Sequence, residues 1–163
     1  MRIAALRERI EGERRVAITP ESARQLVDAG LVVTIESGAG AESGYADAAY
    51  QAAGAEVAAS VALGTVDVLA HVRPLTVETI GALKTDTITV GLASAASELA
   101  AVRALRDARI TSFALELVPR ISRAQSMDAL TSQSLVTGYR SVLEASMRFP
   151  RFFPLYMTAA GTI

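Results

Sequence analysis

Strand-like and helix-like stretches alternate along this chain, and that alternation predicts an α/β fold. The expected architecture is a parallel sheet with helices on both faces, three layers in all. Two further observations agree. Strand candidates such as Val32-Val33-Thr34-Ile35 and Val66 onward are β-branched or nearly continuous apolar runs, as in strands covered on both sides. About half the residues are apolar, rich in alanine and valine and poor in aromatics, which suits an aqueous α/β domain.

The elements follow in order. Residues 2–6 read as a first strand, which runs into the charge-dense loop 7–15. Thr19-Pro20-Glu21 opens a helix with an N-cap hydroxyl, a proline at N1 and a carboxylate in the first turn, and Gly30 ends it. Residues 32–36 form a second strand, 45–53 an alanine-rich helix stopped by Gly54, and 56–59 a brief strand. Residues 66–72 form a strand interrupted only by Asp67 and His71 and closed by Pro74. Thr76 caps a helix over 77–83, and 87–90 is the next strand. Ser97 caps a helix over 98–108, and 111–117 is the last strand. Ligands of such sheets sit outside the carboxyl ends of the strands. The chain leaves one of those ends near Arg120. A helix of roughly five turns then covers about 128–147, with Gly138 inside it at a cost of about 1 kcal/mol relative to alanine. Pro150 and Pro154 end it, and Phe149, Phe152, Phe153, Leu155, Tyr156 and Met157 supply an apolar patch. The expected division is an α/β domain over 1–126, flavodoxin-like or Rossmann-like, and a connecting helix with its continuation over 127–163.

Composition excludes several functions. A chain of 163 residues holds one real core. Sixteen basic and 17 acidic residues leave a net charge of −1, so no basic field recruits nucleic acid. No cysteine means no disulfide or thiolate metal site, and one histidine leaves little scope for any metal. No apolar run reaches the roughly 18 to 20 residues of a membrane helix. The opening MRIAALRERIEG lacks a signal peptide's apolar core, so a cytoplasmic chain is expected.

Residues 118–139, VPRISRAQSMDALTSQSLVTGY, hold the densest chemistry. Pro119 favours an extended approach, and Ser126 or Asp128 can cap the helix that follows. Leu135, Tyr139, Val142 and Leu143 give that helix one apolar face. Arg120, Arg123, Gln125 and Asp128 therefore crowd one loop at a helix N-terminus. Cationic side chains and unpaired backbone N–H groups suit an anionic or amide-bearing ligand there. A solvated turn is the alternative.

Gly38-Ala39-Gly40 with Gly44 is a near miss for a dinucleotide fingerprint, spaced G-x-G-x-x-x-G. It reads as a tight turn that needs positive φ rather than as a pyrophosphate site. No G-x-G-x-x-G occurs in the chain.

The words PRISRAQSMDAL, then SQ, GYR and MTAAGTI, closely resemble the nucleotide-binding component of the proton-translocating NAD(P) transhydrogenases, the amino-terminal part of their α subunit. The front half is also similar to alanine dehydrogenase, with ERRVAITP shared by both families. The resemblance covers essentially the whole chain. It implies a loop that orients the nicotinamide half of NAD(H): Arg120 donating toward the carboxamide, Gln125 holding the ribose and Asp128 positioning the arginine. Ile121, Ser122 and Arg123 complete the segment. Thr131 stands where the family usually has serine. The resemblance also implies a following NAD-binding Rossmann domain that lies outside these residues. Further implications are a homodimer, a separate component that binds NADP(H), and membrane proton-channel subunits through which the chain is peripheral to the inner membrane. This stretch alone is expected to be inactive.

The alanine dehydrogenase alternative turns on Arg15 and His71. In that family the arginine at the Arg15 position grips a substrate carboxylate, a lysine precedes V-x-x-P, and a later histidine is the acid/base. Here His71 takes the lysine's place in His71-Val72-Arg73-Pro74, and Val90-Gly91-Leu92-Ala93-Ser94 carries no histidine. His71 then reads as a strand-end residue and Arg15 as structural or solvated. A third reading is a non-catalytic module that dimerises or docks a partner through the last helix and the Phe-rich tail.

Overall fold

The computed structural model describes residues 1–151, 153, 155 and 157–162. Phe152, Pro154 and Tyr156 of the expected patch, and Ile163, therefore lie outside the described residues. The chain divides into two compact units, Met1–Val118 and Pro119–Ile163.

The first unit is built on six parallel strands: β1 Arg2–Ala5, β2 Val32–Glu36, β3 Glu56–Ala58, β4 Val68–His71, β5 Ile88–Gly91 and β6 Thr111–Ala114. Their spatial order is β3-β2-β1-β4-β5-β6, so the direction of winding reverses between β1 and β4. Helices α1 Pro20–Asp28, α2 Asp47–Ala52, α3 Val77–Ala82 and α4 Leu99–Asp107 connect them. The fold is the expected Rossmann-like three-layer sandwich, and the reason shows in β1. Successive strand side chains face opposite sides. Ala5 packs with Val33, Ile35, Ala23 of α1 and Tyr50 of α2. Its neighbour Ala4 packs with Leu69, Ile80 of α3 and Ala101 of α4. Two small side chains at the centre thus seed two cores, one on each face.

Local signals hold where the partner is close in sequence. Thr19 Oγ1 accepts the Ser22 N–H at 3.2 Å, and Thr76 Oγ1 accepts that of Thr79 at 3.1 Å. Ser97 does not cap α4: its hydroxyl donates to the Ser94 carbonyl, and Glu98 occupies the cap position without a side-chain bond. The last strand stops at Ala114 instead of running through 117. Residues Leu115–Leu117 form a 3-10 turn, and Glu116 reaches back to accept the Ala93 and Ala95 N–H groups at 3.1 and 3.2 Å. That side chain ties the exits of β5 and β6 together just before the chain reaches Pro119.

In the second unit a 3-10 helix, Ser122–Met127, leads into α5, Ala129–Arg148. No residue of α5 is buried. Leu135, Tyr139, Val142 and Leu143 lie on its surface, Leu135 with 75 % of its area exposed. Beyond it the Phe149 and Phe153 rings stack at 5.4 Å. The short strands β7, Met157–Thr158, and β8, Gly161–Thr162, pair antiparallel. Among the described residues no helix is long and apolar enough to cross a membrane.

Candidate functional site

The crevice at the switch point between β1 and β4 is the general ligand position for such a sheet. Here the chain's own carboxylates occupy the donors around it. Glu8 accepts the Val72 N–H at 2.6 Å and the Arg73 N–H at 3.3 Å. Glu36 accepts from the Arg7 backbone and the Arg9 guanidinium. Arg15 closes a two-bond fork on Glu13 at 2.8 and 2.6 Å, and that hydrogen bond holds the Glu13 carboxyl below its ordinary range. Arg15 is thus engaged with a carboxylate of its own loop. His71 is 8 % exposed. Its Nδ1 lies 2.8 Å from the Arg73 carbonyl, which can only accept, so Nδ1 carries the proton. Burial pushes its pKa down, which keeps the ring neutral. Among the described residues no group of His, Asp or Glu is placed to hold a metal.

The glycine turn is a turn. Gly38 and Gly44 have φ of 76° and 82°, and the Gly38 N–H is taken by Asp47 at 2.9 Å. A Cβ on Gly40 would lie 2.6 Å from the buried Tyr50 hydroxyl, which itself donates to the Ile18 carbonyl. Only the three-residue 3-10 turn Ala41–Ser43 follows, so no long helix N-terminus faces this loop.

A different arrangement is found in residues 119–128. A cavity of about 380 Å³ is lined by Pro119, Arg120, Ile121, Ser122, Ala124, Gln125 and Asp128. Five of the seven sequence-predicted residues meet there: Arg120, Ile121, Ser122, Gln125 and Asp128. Arg123 and Thr131 are not in its lining. The path of the backbone accounts for this. Val118 is extended, as a residue before proline must be. The Ile121 N–H then returns to the Pro119 carbonyl at 2.9 Å, the Ala124 N–H to the Ile121 carbonyl at 2.9 Å, and the Asp128 N–H to the Gln125 carbonyl at 3.3 Å. Ala124 is buried amid exposed neighbours. Sequence reasoning passed over it; a lone small apolar residue in a polar loop was the available signal.

Asp128 is the N-cap of α5. Its Oδ1 accepts the Thr131 N–H at 2.8 Å and its Oδ2 the Thr131 hydroxyl at 2.6 Å. The hydroxyl bond foremost, then the Thr131 amide and the Arg120 charge, lower the Asp128 pKa. The Thr131 N–H, one of the donors expected at this helix start, is therefore taken by the chain's own carboxylate. The cavity instead offers a guanidinium, a hydroxyl and a carboxamide beside the apolar walls of Pro119, Ile121 and Ala124. Such a set can take an anion or an amide-bearing ring with hydroxyl groups.

The profile "Alanine dehydrogenase/PNT, N-terminal domain" matches residues 4–137. The chain is 45% identical over its whole length to the first part of the NAD(P) transhydrogenase α subunit of Rhodospirillum rubrum, and covers 44% of that protein. It superposes along its full length on the crystal structure of the transhydrogenase from Sinorhizobium meliloti, with a TM-score of 0.92 and 36% identity, covering 49% of that chain. A solved L-alanine dehydrogenase matches 71% of the chain, with a TM-score of 0.67 and 29% identity. The chain thus spans under half the length of these transhydrogenase relatives. With 134 of its 163 residues inside the family profile, the chain belongs to the alanine dehydrogenase/PNT N-terminal domain family.

Proposed function

We propose that this chain is the leading part of the NAD(H)-binding component of a proton-translocating NAD(P) transhydrogenase. In this reading the cavity at 119–128 receives the nicotinamide half of NAD(H). The observation that carries it is the convergence of Arg120, Ser122, Gln125 and Asp128 on one cavity, in a chain that aligns end to end with a transhydrogenase subunit. The Arg120 guanidinium donates to the carboxamide oxygen, and Gln125 offers a donor and an acceptor to ribose hydroxyls. Asp128 acts from the side, its charge facing Arg120 while Thr131 holds its oxygens. Ile121 and Pro119 exclude water from one wall. Bound NAD(H) supplies the hydride chemistry, and transfer between two nicotinamides requires apposition without a proton shuttle. That requirement suits a loop with no histidine or lysine.

The remainder of the activity belongs to partners: a component carrying NADP(H), membrane subunits that move protons, and a second copy of the subunit. The chain would sit at the cytoplasmic side of the inner membrane through those partners. An alanine dehydrogenase role fits less well, because the stretch Val90–Ser94 carries no histidine and Arg15 is forked on Glu13. Fluorescence titration of the chain with millimolar NADH tests the reading. Weak saturable binding, lost in Gln125→Ala, is expected. Alanine-dependent reduction of NAD+ by a protein extended beyond residue 163 would replace it with the dehydrogenase reading.

A further inference from the structure

Of the residues around the cavity, Pro119 has no functional group, yet it stands at the point where the chain turns. The Ile121 N–H bonds to the Pro119 carbonyl at 2.9 Å, a three-residue γ-turn with Arg120 at its apex. The residues with positive φ outside glycine are Asp86, Ser94 and Arg109 among those described, so the Arg120 turn is the inverse, unstrained kind. Val118 ahead of it is extended at φ −60° and ψ 126°, and Ile121 after it is extended at φ −119° and ψ 157°. One extended residue on either side, Val118 and Ile121, thus separates this bend from the 3-10 turns Leu115–Leu117 and Ser122–Met127. That bend sets the direction in which the Arg120 side chain departs.

We propose that Pro119 is a positioning residue: its ring and its carbonyl fix the γ-turn that presents Arg120 to the cavity before any ligand arrives. The physical reason is entropic. Proline holds φ near −65° and restricts Val118 as well, so two residues that lead into the turn have few other conformations to lose. An arginine delivers a planar fork only if its backbone is oriented, because rotation of the stem otherwise spends the gain on side-chain ordering. Pro119 and Ile121 also line the cavity, so the turn supplies an apolar wall along with the charged group.

This inference rests on the nicotinamide reading of the cavity, and one experiment separates the two. Reduced nicotinamide mononucleotide, which carries no adenosine half, is titrated against the chain and against Pro119→Ala, Arg120→Lys and the double variant. Pro119→Ala is expected to weaken binding roughly two- to fivefold, the fold-change that freeing one prolyl φ produces. Arg120→Lys keeps the charge and loses the fork. In that background Pro119→Ala should weaken binding less than it does in the unmodified chain, because the group it aims is gone and only its part in the cavity wall is lost. Thermal midpoints of the variants should fall by no more than a few degrees, since Pro119 and Arg120 are exposed and only the freed prolyl φ counts against the fold. Undiminished binding by Pro119→Ala, or effects that add fully in the double variant, would overturn the positioning role while leaving the cavity's ligand intact. No binding by the unmodified chain would overturn both.

Discussion

At position 91 a hydrogen is the largest substituent that β5 tolerates. Gly91 stands opposite His71 in the β4–β5 register, and a Cβ there would lie 2.1 Å from the His71 carbonyl oxygen and 2.6 Å from Nδ1. Gly91→Ala should therefore cost about 3 kcal/mol, at the upper end of overpacking penalties, measured as a shift of the urea midpoint. A loss under about 0.5 kcal/mol would mean the strand ends part easily. Sequence reasoning saw both residues and linked neither to the other. Register between β4 and β5 is a tertiary fact, and nothing within a few positions of Gly91 signals it. The same limit applies to Glu116, which reads as one more residue of a strand until its carboxylate is seen on the Ala93 and Ala95 amides.

Elements whose ends are decided by near neighbours were legible. Thr19 and Thr76 cap their helices because the donor lies three residues on. Asp128 does the same for α5, and there the cap is pH-dependent. Its carboxyl pKa is lowered first by the Thr131 hydroxyl, so the charged form is favoured in the folded chain. Stabilisation of the helix start is full above the ordinary carboxylate value of about 4 and is lost as pH falls through the lower folded value. Hydrogen exchange should show the Leu130 and Thr131 amides losing protection across that interval, and Asp128→Ala should abolish the step. A step that persists in Asp128→Ala would assign it to another group. The capped state also explains why one expectation shifted. The pattern of a cap before an apolar helix promises open N–H groups for an anion, but the capping carboxylate itself takes the Thr131 N–H and brings a negative charge there. What the pattern could not tell is that α5 leaves its apolar face uncovered in this unit, with Tyr139 70 % exposed.

For the whole molecule, the alternation of strands and helices was enough to name a two-faced parallel sheet. Strand order was not: β1 lies centrally because the chain returns to it with β4, and no local word encodes that return. The proposed site could be read as one cluster because a contiguous segment carries it, so that Arg120, Gln125 and Asp128 line one cavity without long-range assembly. The switch-point crevice, by contrast, is assembled from 7–15, 36 and 71–73, and only the structure reveals that its donors are engaged internally. On the proposed reading these two facts divide the dinucleotide: the nicotinamide half would enter the cavity at 119–128, whereas the glycine turn is closed to a pyrophosphate by Asp47. Saturation-transfer NMR with millimolar NADH reads that division directly. The nicotinamide ring protons should draw more magnetisation from the chain than the adenine protons, and Gln125→Ala should remove the difference. Adenine signals equal to or stronger than those of the nicotinamide would contradict the account.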